Sequence, residues 1–165
     1  FTTIRAMGSY EGNICYCIEP GVPQQTGNTF TKKGEDFWDE YPSSYNSTIS
    51  PDDIKLFIGR IFQYGYTGTI STSWRSQNEG GDKLANAVAT QLLIWETVVG
   101  ERDADFGKVS TGGKNAITEQ ICTSHPLYSQ IMSYCDSIAA SVQKHSKVPS
   151  FFSKSAKSTL YCIPS

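Results

Sequence analysis

The sequence lacks any long apolar run and any block of like charges. A membrane-spanning helix needs about 20 consecutive apolar residues, whereas here the hydrophobic 38% of the chain is spread over short stretches. Lys and Arg number 14 against 16 Asp and Glu, and they are scattered. Because nucleic acids and anionic membranes attract concentrated positive charge, we expect no nucleic-acid partner and no membrane insertion.

Metal-binding patterns are also missing. The chain has only 2 histidines, and its cysteines and histidines show neither Cys-x-x-Cys nor His-x-x-x-His spacing. Such pairs are the usual basis of a protein zinc site. We therefore predict no metal and no cofactor.

The number of cysteines is odd, at 5. Low charge and many aromatic, Ser and Thr residues are typical of extracellular domains, in which cysteines usually pair as disulfides. At least one cysteine then remains outside any disulfide framework, and its presence needs a separate explanation.

The length of 165 residues fits one domain spanning residues 1–165. Short apolar stretches at 1–7 and 13–19, separated by Gly8 and Gly12, predict two strands joined by a turn, and residues 158–163 predict a final strand. Helical patterns lie between them. We therefore expect an α+β fold, with a β-sandwich or barrel-like sheet and an inserted α-helical lobe.

Three helices are predicted. The first begins at an N-cap Ser50 followed by Pro51, and it ends at Gly65 in the left-handed conformation that glycine favours. The third begins near His125 and ends before Pro149. The residues expected to face the core are Ile54, Phe57, Ile58, Ile61 and Phe62 in the first helix and Leu127, Ile131, Tyr134, Ile138 and Val142 in the third.

The second helix, predicted from an N-cap Asp82 to Gly100, carries an unusual polar residue. On a helical wheel, Gln91 falls about 20° from Leu84, in the middle of the apolar stripe. Burying an amide without partners costs a few kcal/mol, although a hydrogen-bonded core glutamine is the ordinary explanation. The stripe comprises Leu84, Val88, Leu92, Trp95, Val98 and Val99, with Asn86, Thr90, Glu96 and Thr97 predicted on the opposite, polar side.

Cys17 ends the second predicted strand, where a small buried thiol or half of a disulfide would be unremarkable. Together, however, three segments form an ordered set: YCIEPG at 16–21, IFQYGY at 61–66 and TQLLIWE at 90–96. They resemble the signature segments of the thioester domains of Gram-positive bacterial surface adhesins. The resemblance covers roughly residues 13 to 100.

The resemblance implies that the Cys17 thiolate attacks the Gln91 side-chain carbonyl, releases ammonia and leaves an internal thioester. It implies single-turnover covalent binding rather than enzymatic catalysis. The expected partner is a lysine amine on a host surface or matrix protein, or a small amine. It also implies an extracellular location on the bacterial cell wall, anchored through regions outside this sequence. We expect a monomer.

Four aromatic residues near the pair are candidates for shielding or binding: Tyr16, Tyr64, Tyr66 and Trp95. Trp95 lies one helical turn after Gln91, close enough on the wheel to cover the bond. Water exclusion is required because an activated acyl group would otherwise hydrolyse.

Alternative interpretations remain open. A noncovalent carbohydrate- or protein-binding module could use aromatic residues, and a cysteine peptidase or transglutaminase-like enzyme could use a histidine base. Cys15 is a rival for the thioester, since residues two apart share a strand face. The aromatic candidates are Trp38, Tyr41, Tyr45, Tyr66 and Trp74, and the enzyme candidates are His125, His145, Asn115 and Asp136. The remaining cysteines Cys15, Cys122, Cys135 and Cys162 permit three disulfide pairings or stay free.

Overall fold

A computed structural model describes residues 7–10, 13–22, 37, 46–69, 81–111 and 116–146. Within these residues the chain forms one β-hairpin and three α-helices, with a short 3-10 helix at Ile117–Gln120. The central helix of the three packs against both of the others. The hairpin brings the N-terminal candidate residues to this helical unit.

Strands β1 (Met7–Tyr10) and β2 (Asn13–Tyr16) pair in an antiparallel hairpin, with Met7 opposite Tyr16. The second predicted strand is confirmed from residue 13 but ends at Tyr16, so Cys17 is the first residue after it. The predicted turn at Gly8 is wrong, because Gly8 pairs with Cys15 inside the hairpin. Residues 1–6 lie outside the described part.

Helix α1 (Pro51–Tyr64) begins as predicted. The Ser50 hydroxyl accepts the Asp53 backbone N–H at 3.2 Å, and the Asp53 carboxylate accepts the Ser50 backbone N–H at 3.4 Å. This reciprocal capping box satisfies backbone groups that the first turn leaves unpaired. Four of the five residues predicted to face inward are buried, namely Ile54, Phe57, Ile58 and Ile61, whereas Phe62 is 38% exposed.

The end of α1 differs from prediction. Gly65 has φ −91° and ψ −167°, an extended conformation open to any residue, so glycine is not needed there for a left-handed cap. Its role is close packing. A Cβ at this position would lie 2.5 Å from the hydroxyl oxygen of Thr90 and 2.8 Å from the carbonyl oxygen of Ile61.

Helix α2 (Gly81–Val98) is the centre of the fold and is buried on nearly every side. The predicted polar side is wrong in part, because Thr90, Glu96 and Thr97 are all fully buried. The predicted N-cap also shifts, since the helix begins at Gly81 and includes Asp82. The predicted apolar stripe is confirmed from Leu84 to Val98, whereas Val99 lies beyond the helix end and is 37% exposed.

The burial of Glu96 is compensated by charge. Arg102 donates to its carboxylate through both Nε, at 2.8 Å, and Nη2, and Lys108 Nζ lies 3.3 Å from the other carboxylate oxygen. Arg102 and Lys108 face each other across an antiparallel bridge in the segment that follows α2. A buried carboxylate without such partners would be strongly destabilising.

Helix α3 (Tyr128–Ser146) begins three residues after the predicted start at His125. Leu127, Ile131, Ile138 and Val142 are buried as predicted, whereas Tyr134 is only half-buried and donates to the Asp82 carboxylate at 2.6 Å. The predicted strand at 158–163 lies outside the described residues. A sandwich or barrel-like sheet therefore stays a prediction.

Candidate functional site

The hairpin and α2 bring Cys17 and Gln91 into direct contact. The Cys17 backbone N–H donates to Gln91 Oε1 at 2.9 Å, and Gln91 Nε2 donates to the Cys17 carbonyl oxygen at 2.7 Å. Gln91 is 2% exposed and Cys17 is half-buried. The two hydrogen bonds satisfy the buried amide at both ends and orient it against the backbone N–H and carbonyl groups of its partner residue.

The Cys17 N–H lies at the oxygen that would become charged if a nucleophile attacked the Gln91 carbonyl carbon. Negative charge would develop on Oε1, which already accepts the Cys17 N–H, and a preorganised donor at that position stabilises such an oxyanion. The Cys17 thiol donates to the Glu19 carbonyl oxygen at 3.2 Å. Attack therefore requires the sulfur to leave this hydrogen bond and lose its proton.

Tyr16, the last residue of β2, secures the strand end beside Cys17. Its hydroxyl donates to the Tyr66 carbonyl oxygen at 2.5 Å, and its ring packs on Phe62 with centroids 5.8 Å apart. Burial raises the pKa of Tyr16 well above its ordinary value, while a hydrogen bond with Thr90 acts in the opposite direction. The phenol is thus a neutral structural group.

The other predicted shielding residues occupy different places. Trp95 is 4% exposed and lies one turn after Gln91 on α2. Tyr66 contributes its backbone to the Tyr16 contact, and its own hydroxyl donates to Thr69. Tyr64 is 37% exposed, and its hydroxyl lies 2.7 Å from Nδ1 of His145 near the end of α3.

The sequence also matches the family model described as "Thioester domain" over residues 14–144, which includes both Cys17 and Gln91. The chain belongs to the thioester domain family. No curated protein and no solved structure shows significant similarity to it.

Within this thioester domain the rival Cys15 occupies a different environment from Cys17. Its side chain is exposed on β2 opposite Gly8, whereas Cys17 packs against the core. Cys122 is an exposed free thiol and Cys135 a buried one, so the described residues contain no bond between them. Cys162 lies outside the described part, and its pairing stays open.

The histidines of the thioester domain have partners of their own. Nδ1 of His125 accepts the Leu127 backbone N–H at 3.1 Å, and His145 contacts Tyr64. Asp136 is exposed on α3, and Asn115 lies outside the described residues. In the part of the chain that the structure describes, no hydrogen bond joins either histidine to Cys17.

Membrane-spanning helices, metal-binding groups and an aromatic binding platform were looked for among the described residues. They contain no helix long and apolar enough to cross a membrane, and no group of three or more acidic, His or Cys side chains placed to hold a metal ion. Of the aromatic residues considered for a binding platform, only Tyr66 is described, and Trp38, Tyr41, Tyr45 and Trp74 lie outside.

Two residues of the site were not predicted to belong to it, Thr90 and Gly65. Thr90 accepts the Tyr66 backbone N–H at 2.9 Å, and Gly65 leaves room for this approach. Both stand inside the quoted signature segments, at the residue before Gln91 and between two tyrosines. Their positions inside these segments could have indicated that they belong to the site.

Proposed function

We propose that Cys17 and Gln91 condense to an internal thioester that captures a primary amine on a partner molecule. The observation that carries this proposal is the pair of hydrogen bonds that fixes the Gln91 amide on the backbone N–H and carbonyl of Cys17, in a chain of the thioester domain family. An isolated core glutamine would be satisfied equally well by many partners. Here its partner is the residue that bears the thiol.

Formation of the bond proceeds in balanced steps. The deprotonated Cys17 sulfur attacks the Gln91 carbonyl carbon, and the charge on Oε1 is stabilised by the Cys17 N–H. The C–N bond then breaks, and the amide nitrogen takes up a proton and leaves as ammonia. The Cys17 carbonyl oxygen, which accepts from Nε2 at 2.7 Å, holds the leaving nitrogen in place.

Capture follows the same path with a different nitrogen. An unprotonated amine attacks the acyl carbon at residue 91, the carbon–sulfur bond breaks, and the Cys17 thiol is released as the amine loses a proton. The product is an amide, so the event happens once and does not turn over. A lysine side chain on a host surface or matrix protein gives an isopeptide bond, and a small amine gives a simple amide.

The same bond would also stabilise the fold. Cys17 and Gln91 are 74 residues apart. By analogy with disulfides, closing a loop of that size in the unfolded chain stabilises the folded state by about 4 kcal/mol. Capture removes this contribution and leaves the domain attached to its partner.

The proposed setting is extracellular. We propose a monomeric adhesin domain displayed on a Gram-positive cell wall through regions outside this sequence. A single covalent capture, after which the domain stays attached to its partner, suits adhesion better than catalysis. In the alternative, a noncovalent carbohydrate- or protein-binding module, the same bond would be purely structural and would not react with an amine.

The experiment is incubation with methylamine followed by fragmentation mass spectrometry. We expect methylamide at residue 91 and a new free thiol at Cys17. Cys17→Ala and Gln91→Ala should take up no methylamine, whereas the matched variant Cys15→Ala, two residues earlier in β2, should take it up normally. Uptake by Cys17→Ala, or none by the parent, would contradict the proposal.

A further inference from the structure

The Thr90 hydroxyl lies at a junction between α2 and the turn that follows α1. Thr90 is fully buried on α2, directly before Gln91. Its hydroxyl donates to the Asn86 carbonyl oxygen one turn back at 2.8 Å and accepts the Tyr66 backbone N–H at 2.9 Å. One side chain therefore links α2 to the turn that follows α1.

The Tyr66 peptide groups extend this link to the hairpin. The Tyr66 N–H donates to Thr90, and the Tyr66 carbonyl oxygen accepts the Tyr16 hydroxyl at 2.5 Å. Tyr16 immediately precedes Cys17, and Thr90 immediately precedes Gln91. Two hydrogen bonds to the Tyr66 backbone thus join Tyr16 and Thr90, the residues that directly precede Cys17 and Gln91.

Close approach at this junction depends on glycine. Any side chain at residue 65 would place its Cβ 2.5 Å from the Thr90 hydroxyl oxygen. Such a contact would push the turn away from α2 and break the Tyr66–Thr90 hydrogen bond. The Tyr-Gly-Tyr segment therefore serves the junction through its glycine and through the backbone of its second tyrosine.

The junction contributes most to holding the site together after the thioester has formed. Before the thioester forms, Gln91 and Cys17 are also held by two hydrogen bonds to each other. Loss of ammonia removes the one that Nε2 donates, whereas the Tyr16–Tyr66–Thr90 bonds contain no reacting atom. They are thus able to hold the strand end against α2 in both states.

We propose that Thr90 is a positioning residue for the thioester, which sets the register of Cys17 against Gln91 through Tyr66 and Tyr16. This inference rests on the proposed function. Displacing reacting groups by about 1 Å slows a reaction by about 100-fold. Loss of one positioning hydrogen bond should therefore slow thioester formation markedly while leaving the fold intact.

The test compares Thr90→Val with Thr90→Ser and with Thr97→Val. Thr97 is an equally buried threonine on α2, and its hydroxyl makes the same bond to the carbonyl four residues back, at 2.7 Å. The full chain is refolded, and loss of ammonia is followed by intact mass. Thermal unfolding of each variant is measured in the Gln91→Ala background, where no thioester forms.

We expect Thr90→Val to form the thioester at least about 10-fold more slowly than the parent. Thr90→Ser should restore the rate, and Thr97→Val should leave it unchanged at a similar loss of stability. Equal rates for Thr90→Val and the parent would overturn the inference, as would equal slowing by Thr97→Val. If Thr90→Val fails to fold, Tyr16→Phe decides, because it removes the hydroxyl that donates to the Tyr66 carbonyl oxygen and keeps the ring.

Thioester formation and the positioning role of Thr90 can be refuted separately. A parent protein that never loses ammonia contradicts the thioester itself. A parent that loses ammonia at the same rate as Thr90→Val and Tyr16→Phe leaves the thioester standing and removes the positioning role of Thr90.

Discussion

Replacement of Trp95 by alanine tests whether the residue one turn after Gln91 protects the thioester. Trp95 is 4% exposed within the hydrophobic core. Truncating a buried tryptophan costs about 3–5 kcal/mol and leaves a cavity. Because the cavity would open one helical turn from Gln91, we expect faster hydrolysis of the thioester as well as lower stability.

Two measurements separate these effects. Denaturant unfolding gives the loss of stability, and intact mass follows hydrolysis, which adds one water irreversibly. Leu84→Ala is the matched control, since Leu84 is equally buried on the same face of α2, two turns before Gln91, and its truncation costs about 2–5 kcal/mol. At similar stability, the thioester of Trp95→Ala should hydrolyse faster than that of Leu84→Ala, and it should also react faster with methylamine. If the two variants have the same rates of hydrolysis and methylamine uptake, Trp95 is a core residue without a protective role.

Three further predictions concern the framework around the site. Gly65→Ala should lower the free energy of unfolding by about 1–3 kcal/mol through overpacking, measured by urea denaturation. Gly59→Ala on α1 should not destabilise, because nothing beyond its chain neighbours and the adjacent helix backbone lies within 4 Å of the new Cβ. Arg102→Ala should lower the free energy of unfolding by about 3–5 kcal/mol, because the buried Glu96 carboxylate would keep only the half-exposed Lys108 as a cation. A loss below about 1 kcal/mol, the value of a surface ion pair, would refute this prediction. Burial raises the pKa of the Cys135 thiol to about 12, so at mildly alkaline pH it stays protonated and should resist alkylation until the protein unfolds, and alkylation of the native protein at Cys135 would contradict that.

Local patterns predicted the three helices and the burial of Gln91. Ser50 and Pro51 determine the start of α1 through contacts within one turn, so the sequence alone was sufficient there. Gln91 stands at the centre of an apolar stripe, and its burial follows from helical periodicity. The pairing of Gln91 with Cys17 came from the ordered signature segments rather than from periodicity.

Nonlocal contacts account for what was missed. A helical wheel assumes one solvent-facing side, but α2 is covered on nearly every side, so Thr90 and Glu96 are buried despite their polarity. The cation that compensates Glu96 is Arg102, beyond the helix end. Gly65 looks like a left-handed cap in the sequence, yet its function depends on Thr90, 25 residues later in the chain.

The intact mass of freshly purified protein shows whether Cys17 and Gln91 have condensed. We expect a mass one ammonia below that of the sequence, with the deficit absent in Cys17→Ala and retained in Cys15→Ala. Hydrolysis during handling would leave glutamate at position 91, which fragmentation detects. The full sequence mass with an unaltered glutamine at position 91 would show that no thioester forms.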